Sequence, residues 1–196
     1  MKVGDTYRLY YRTWGAHDEE GGPKEGYCIA ESKDGKTFEK PKLCKFTMGG
    51  TNENNVFFVD RERYVDNFSV HYDENPDCPP DAKFKGLSLV FYRPPIETEN
   101  GPRYAYLAYY KSADGIHFEY ERILYIPGVF DTYNIVFWDA AAKEYKMYIR
   151  DFHNADGSRS CYAPVAAMEM AYRDVRITRS KDFLHWSAAE LITCED

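Results

Sequence analysis

A seven-residue motif occurs three times in this chain of 196 residues and constrains its fold more than any other feature. Residues 32–38 read Ser-Lys-Asp-Gly-Lys-Thr-Phe, and residues 112–118 repeat the Ser, Asp, Gly and Phe. Residues 180–186 have Phe in place of Gly and end on Trp. Asp-Gly favours a tight turn, because Gly accepts positive φ and Asp bonds the neighbouring backbone. Strand-forming segments flank each copy, so the motif predicts three equivalent turns between antiparallel strands.

A second repeated feature is an apolar run that follows a carboxylate and an amide. Residues 51–60 read Thr-Asn-Glu-Asn-Asn-Val-Phe-Phe-Val-Asp, and residues 130–139 read Phe-Asp-Thr-Tyr-Asn-Ile-Val-Phe-Trp-Asp. Asn55 lies 23 residues after Ser32, and Asn134 lies 22 residues after Ser112. Because these two intervals agree, we predict that the two runs are equivalent first strands of successive repeats.

On this interpretation each complete repeat contains four short strands. The predicted strands are residues 7–14, 27–31 and 37–40 in the first repeat, 55–60, 84–92, 104–111 and 117–124 in the second, and 134–138, 144–150, 175–179 and 185–192 in the third. The first repeat therefore has three strands, and its polar-headed strand is expected before residue 1.

Repeated four-stranded antiparallel units are typical of β-propeller blades. A β-sandwich is the alternative, but it does not predict a periodic turn. We therefore predict an all-β chain, a propeller of which about three blades are present: a partial blade at 1–48 and complete blades at 49–127 and 128–196. Propellers close with about four to eight blades. The missing blades are expected in a longer chain or in a self-association partner.

Composition excludes several classes of partner. The formal net charge of −7 argues against nucleic acid and against an anionic membrane surface. The sequence contains no run of eighteen apolar residues, so it predicts no membrane-spanning helix. The first residues lack the apolar core of a secretory signal. The compartment stays open, and a secreted or periplasmic protein is one alternative. An aromatic share of 17% suits either sugar binding or ordinary packing in strands.

The cysteines do not form a metal-binding pattern. The five, which are widely spaced, are Cys28, Cys44, Cys78, Cys161 and Cys194. None belongs to a Cys-x-x-Cys or Cys/His pattern, so a structural zinc site is not expected. We interpret them as buried free thiols.

The segments around the turns resemble a known family. Residues 27–41 (Tyr-x-x-x-Glu-Ser-Lys-Asp-Gly-Lys-Thr-Phe-Glu-Lys-Pro) and 178–187 (Thr-Arg-Ser-Lys-Asp-Phe-Leu-His-Trp-Ser) resemble the blade signature of five-bladed propeller glycoside hydrolases of the invertase/levanase and arabinanase/xylosidase types. The turn is also similar to the sialidase Asp box, but it lacks the residue between Asp and Gly. The resemblance spans nearly the whole chain and implies a five-bladed fold that handles carbohydrate.

The catalytic motifs of that family are missing. Neither Trp-Met-Asn-Asp-Pro-Asn-Gly nor the Glu-Cys motif occurs, and Arg150-Asp151-Phe152 matches Arg-Asp-Pro only superficially. The resemblance implies three carboxylates at the channel mouth, contributed by three blades. Glycosidic-bond hydrolysis needs one carboxylic acid and one carboxylate base or nucleophile. Asp131 and Glu53, which precede the two predicted first strands, are therefore the predicted catalytic residues. The alternatives are a turn-capping role for Asp131 and a solvated loop charge for Glu53.

Predicted substrate-binding residues surround these carboxylates. They are Asn54, Asn55, Asn134, Asp73, Lys85 and Arg150. The amides can bond sugar hydroxyls or, equally, backbone groups. Residues 71–80 form a long irregular connection, which is unusual unless functional, and it leads towards Lys85. Arg150 is expected near the pocket or in an ordinary ion pair, and Glu169 is a distant candidate for a third carboxylate.

No cofactor or metal is predicted. Asp73, Glu74, Asp77 and Asp81 leave calcium as an alternative, although their spacing differs from an EF-hand loop. The expected partner is an oligosaccharide or glycoside, and the expected reaction is hydrolysis. A non-catalytic carbohydrate-binding propeller and an inactive fragment are the alternatives. A glycoside phosphorylase would need a basic phosphate-binding cluster, which the sequence does not show.

Overall fold

The computed structural model describes residues 1–14, 25–63, 65–98, 101–159 and 171–193. These residues form an all-β structure without an α-helix, and the short turn Pro80–Ala82 is 3₁₀-helical. None of them belongs to a helix that is long and apolar enough to cross a membrane. The all-β prediction is confirmed.

The described strands form three sheets of four. Sheet 1 contains β1 (Lys2–Val3), β2 (Thr6–Trp14), β3 (Glu25–Ser32) and β4 (Val56–Phe58). Sheet 2 contains β5 (Val65–Tyr72), β6 (Phe84–Thr98), β7 (Gly101–Ser112) and β8 (Glu119–Leu124). Sheet 3 contains β9 (Ile135–Asp139), β10 (Glu144–His153), β11 (Tyr172–Ser180) and β12 (Glu190–Leu191). Strands are antiparallel, neighbours follow chain order, and none of the sheets closes on itself.

The three repeated motifs form the predicted turns, one after the third strand of each sheet. In the first, the Asp34 Oδ1 atom accepts hydrogen bonds from the backbone N–H groups of Lys36 and Thr37, each at 2.8 Å. The backbone N–H of Gly35 donates to Ser32 Oγ at 2.9 Å. Asp114 and Asp182 accept the corresponding backbone bonds in the other two turns. In each turn the backbone N–H groups have no strand partner, and the Ser and Asp side-chain oxygens of the motif accept their hydrogen bonds instead.

One predicted equivalence was wrong. Residues 56–58 do not open the second sheet, because β4 pairs with β3 through Val56 opposite Cys28 and Phe58 opposite Tyr27. The strand that corresponds to β9 is β5, whose last two residues overlap the predicted irregular connection 71–80. The nearly equal intervals from Ser32 to Asn55 and from Ser112 to Asn134 do not indicate equivalent strands, because the first spans a long connection within sheet 1, residues 33–55, between β3 and β4. Within it, the predicted strand at 37–40 makes a single bridge, Glu39 to Glu31.

Two further strand predictions need correction. The first sheet has a first strand within the chain, because β1 pairs with β2 through Val3 opposite Thr6. In sheet 3 the predicted strand 185–192 shrinks to Glu190–Leu191, whereas the predictions at 134–138, 144–150 and 175–179 overlap β9, β10 and β11.

Sheet 2 lies between the other two sheets. On β7, Leu107 and Tyr109 belong to the apolar core shared with sheet 3, where they meet Met147 and Ile149. The alternate residues of β7 belong to the core shared with sheet 1: Tyr106, Ala108 and Tyr110. Because successive side chains on a strand point to opposite faces, the strand is apolar on both sides. Sheet 2 therefore contributes buried apolar surface on both faces, which is the dominant favourable term in folding.

Contacts between neighbouring sheets show that all three have the same orientation. The Arg8 guanidinium donates to the carbonyl oxygen of Asp114, and both residues lie beside the turns. Arg12, further along β2, reaches Asp66 near the start of β5. We call the end of the sheets that carries residues 32–38, 112–118 and 180–186 the turn end. Between sheets 2 and 3, the Tyr145 hydroxyl donates to Asp73 near the turn end.

Candidate functional site

Charged side chains collect at the end of the sheets opposite the turn end, which we call the charged end. Its members are Arg12, Glu25, Asp66, Asp131, Arg150, Asp151, Arg159, Asp174 and Arg176. They lie at the ends of strands from all three sheets. Because the sheets share one orientation, these residues, several of them buried, lie at the same end of the molecule.

Asp131 lies in the segment before β9, and its side chain is 36% exposed. The Arg150 Nη1 atom lies 3.7 Å from its Oδ1 atom. Two backbone bonds hold the segment, since the N–H groups of Val129 and Phe130 both donate to the Arg150 carbonyl oxygen. Asp131 is therefore an accessible carboxylate on a fixed backbone beside a guanidinium.

Asn134 fixes this segment rather than facing solvent. Its Nδ2 atom donates to the carbonyl oxygens of Phe130 and Thr132, at 3.2 and 2.8 Å, and its Oδ1 atom accepts from the Arg150 N–H at 3.3 Å. The side chain of the buried Asn134 is thus committed to backbone groups.

The Asn134 carbonyl oxygen links the segment to sheet 2. It accepts a hydrogen bond from Ser69 Oγ at 3.0 Å and lies 3.1 Å from His71 Nε2. Burial lowers the pKa of His71 to about 4, so the imidazole is neutral at pH 7. Sheet 2 therefore helps to position Asp131.

A second carboxylate group lies at the boundary of sheets 1 and 2. The Arg12 Nη1 atom is 3.0 Å from Glu25 Oε1 and 3.3 Å from Asp66 Oδ1. Burial and then the charge of Asp66 raise the pKa of Glu25, against the opposing effect of Arg12. Asp66 is partly exposed and lies near the start of β5, the strand that corresponds to β9. The sequence interpretation missed Asp66 because it misplaced this strand.

A buried network holds the ends of β10 and β11 together. Asp151 is buried and contacts Arg159 and Arg176, with Arg176 Nε 3.1 Å from Asp151 Oδ2. Arg176 Nη2 lies 3.1 Å from Asp174 Oδ2, and His153 Nδ1 lies 3.0 Å from the same atom. Burial raises the pKa of Asp151, although both arginines oppose the shift. The network fixes the strand ends beside Asp131.

Three tyrosines at the charged end are more than half exposed. Tyr125 (78%) follows β8, Tyr133 (51%) precedes β9 and Tyr172 (60%) opens β11. The Tyr172 ring stacks on His153 with centroids 5.5 Å apart, which holds it in place. Exposed tyrosine rings offer an apolar face with a polar edge to a ligand.

Glu53 lies elsewhere. It precedes β4, at the opposite edge of sheet 1 from β1, and pairs with Lys42 at 2.8 Å while both side chains are 65% exposed. The interpretation that Glu53 heads a first strand was therefore wrong. The structure does not place it beside Asp131 at the start of a first strand.

The two neighbouring amides secure β4. Asn54 Nδ2 donates to the carbonyl oxygens of Phe46 and Thr51. Asn55 Nδ2 donates to Tyr11 Oη at 2.6 Å and to the Ile29 carbonyl oxygen at 2.7 Å. The amide nitrogens of Asn54 and Asn55, which the sequence predicts to bind sugar hydroxyls, are thus bonded within the protein.

Asp73 and Lys85 lie near the turn end and are buried. Lys85 Nζ is 2.9 Å from Asp73 Oδ2, and it donates to the Ala82 carbonyl oxygen at 2.6 Å. Tyr145 of sheet 3 donates to the same Asp73 oxygen at 2.9 Å. The pair anchors the connection between β5 and β6 against sheet 3, at the end of the sheets opposite Asp131.

The described residues contain no group of three or more His, Cys, Asp or Glu side chains arranged to hold a metal ion. Among the thiols that the structure describes, Cys28 and Cys78 are buried and free, and Cys44 is exposed and free. Glu169, Cys161 and Cys194 lie outside the described residues.

No model of a known protein family matches the sequence, and no curated protein matches it either.

Proposed function

We propose that this chain forms part of a β-propeller glycoside hydrolase with its active centre at the charged end. One observation carries the proposal: Asp66 and Asp131 lie near the starts of corresponding first strands in neighbouring sheets, each beside an arginine. Those arginines are themselves equivalent. In the sheet register, Arg12 of β2 lies opposite Tyr27, five positions before Ser32. Arg150 of β10 likewise lies opposite Val175, five positions before Ser180.

The two carboxyl environments suit acid–base chemistry. Asp131 is accessible and is assigned as the carboxylate that acts as base or nucleophile. Glu25, whose pKa is raised by burial and by the charge of Asp66, is assigned as the general acid that protonates the leaving oxygen. Hydrolysis of a glycosidic bond requires these two kinds of carboxyl group. Asp66 modulates Glu25 and contacts substrate hydroxyls.

The exposed tyrosines support a carbohydrate as the substrate class. Tyr125 and Tyr172 present exposed ring faces, and the half-exposed Tyr133 ring lies 5.9 Å from the His71 ring, measured between centroids. Sugar rings have apolar C–H faces and polar edges, which match such tyrosines. The substrate is accordingly an oligosaccharide or a glycoside.

The test is turnover of a panel of chromogenic aryl glycosides by the wild type and by three carboxamide variants. Asp131→Asn and Glu25→Gln are each expected to lower kcat/KM about 10²- to 10⁴-fold. Glu53→Gln is the control: it removes an exposed carboxylate that lies away from the charged end, and it is expected to keep full activity. Undiminished turnover by Asp131→Asn would overturn the catalytic assignment.

A non-catalytic carbohydrate-binding propeller is the second candidate, and the three exposed tyrosines favour it independently of the carboxylates. In that case the wild type binds immobilised oligosaccharides without turnover. Tyr172→Ala then weakens binding, whereas Asp131→Asn does not. An inactive fragment would show neither binding nor turnover.

A further inference from the structure

Sheet 3 has an apolar face that no other described sheet covers. The outer face of sheet 3, on the side away from sheet 2, carries Ile135, Phe137, Tyr148, Val175 and Ile177, which are flanked on the same face by the charged residues Asp139, Lys146, Arg150 and Arg179. Ile135, Phe137 and Val175 are 48%, 39% and 45% exposed. The rings of Phe137 and Tyr148 stack, with centroids 6.1 Å apart, at the centre of the face. Contiguous exposed apolar side chains of this kind indicate an interaction surface.

The repeat shows what such a face normally contacts. Val175 and Ile177 lie five and three positions before Ser180 on β11. The residues at the same positions before Ser32 on β3 are Tyr27 and Ile29, which are buried against sheet 2. Those before Ser112 on β7 are Leu107 and Tyr109, which are buried against sheet 3. In sheets 1 and 2 this face therefore packs against the following sheet.

Sheet 1 presents the complementary kind of face. Its outer face, on the side away from sheet 2, includes Leu9, Tyr11 and Cys28, and Phe46 from the connection between β3 and β4 packs on part of it. Cys28 corresponds in position to Ala108 of β7, which packs against sheet 1. Met48 covers Cys28, but Leu9 is 47% exposed. Each chain thus has one face that in the repeat contacts a following sheet and one that contacts a preceding sheet.

We propose that two copies of this chain associate head to tail, the outer face of sheet 3 in each copy docking on the outer face of sheet 1 in the other. The two contacts are related by a two-fold axis and close a ring of six sheets. Closure covers the outer face of sheet 3 and the exposed part of the outer face of sheet 1 in both copies, as expected of a closed two-fold assembly. Six lies within the range of about four to eight blades in closed propellers, and is one more than the resembled family has.

The primary measurement is molar mass by light scattering after gel filtration, over a range of protein concentrations. The wild type is expected at twice the 22.9 kDa of one chain. Phe137→Lys and Leu9→Glu are each expected to give monomers, because each places a charge in both contacts. Phe38→Lys is the matched control, since Phe38 is 36% exposed at the turn end, and it is expected to stay dimeric. Circular dichroism verifies that every variant is folded.

Mixing distinguishes this arrangement from a symmetric contact of sheet 3 with sheet 3. A mixture of Phe137→Lys and Leu9→Glu contains one unaltered contact and one in which Lys faces Glu, so dimers are expected to return. A monomeric wild type at all concentrations overturns the proposal and leaves the face to another occupant. Dimers that tolerate Leu9→Glu, or a mixture that stays monomeric, also overturn it. These measurements use no substrate, so their outcome is independent of the proposed hydrolysis.

Discussion

Lys85 places its ammonium group 2.9 Å from the carboxylate of Asp73, and both side chains are almost completely shielded from water. The aromatic rings of Phe183 and Tyr109 also lie near the ammonium, with centroids 5.0 and 5.9 Å from Nζ. Tyr145 completes the surroundings by donating to Asp73. A charge pair from sheet 2 is thereby enclosed by side chains of sheets 2 and 3.

Replacing Asp73 with Ala is expected to destabilise the protein strongly. The substitution leaves the Lys85 ammonium buried without its carboxylate, which costs about 3–5 kcal/mol. Urea unfolding followed by fluorescence measures the change. The matched control is Glu53→Ala, which breaks the exposed pair with Lys42 and should cost less than about 1 kcal/mol. Equal losses for the two variants would contradict the importance of burial.

Gly115→Ala is expected to cost more than Gly50→Ala. Both glycines have positive φ, +78° and +80°, so both substitutions introduce backbone strain of about 1–2 kcal/mol. A Cβ atom at Gly115 would also lie 2.6 Å from Tyr10 Oη and 2.8 Å from the Phe84 ring, whereas nothing lies within 4 Å at Gly50. The overlap adds about 1–3 kcal/mol at Gly115. Denaturant midpoints of the two variants test this order.

Phe183→Gly is expected to destabilise, although it restores the residue found in the other two turns. Phe183 has φ +69°, so glycine relieves about 1 kcal/mol of strain. The ring, however, is buried among Tyr109, Tyr145 and Trp186, and its removal costs about 3–5 kcal/mol. Phe183→Leu retains part of the packing and should be intermediate in thermal melting. A glycine variant as stable as the wild type would show that strain dominates.

Acid is expected to destabilise the protein partly through the three turns. Backbone N–H donors from Thr37 and Lys36 lower the pKa of Asp34 to about 2, and the pKa values of Asp114 and Asp182 are lowered as well. A carboxyl whose folded pKa is lowered stabilises the fold above its unfolded pKa of about 4. That contribution is lost as pH falls towards 2. The melting temperature should fall over this range, and Asp114→Asn should flatten the dependence. A parallel fall in the variant would contradict the assignment.

The sequence predicts the turns well because each depends on local chemistry. Ser32, Asp34 and Gly35 form their bonds within a few residues, and the same is true of the other copies. Strand pairing across residues 33–55 depends on distant packing instead. Neither the spacing of Asn55 nor its polar neighbours distinguishes a last strand of one sheet from a first strand of the next.

The part of the candidate site that depends on nearby residues is predictable from the sequence, as the turns are. Asp131 and Arg150 come from one hairpin, so the sequence brings them into consideration together. The Arg12, Glu25 and Asp66 group depends on the packing of two sheets, which local patterns do not specify. The strand propensity of Val65–Tyr72 was the signal that could have located Asp66.

The separation of β4 from its partner has a consequence for the order of folding. β7 and β8 are joined by a six-residue turn, residues 113–118, whereas β4 can pair with β3 only after the 23 residues 33–55 have closed into a loop. Closing a longer loop costs more chain entropy, and non-local pairing is slower. Sheet 2 should therefore acquire protection from hydrogen exchange before β4 does, and β4 should be the first of the two to open again.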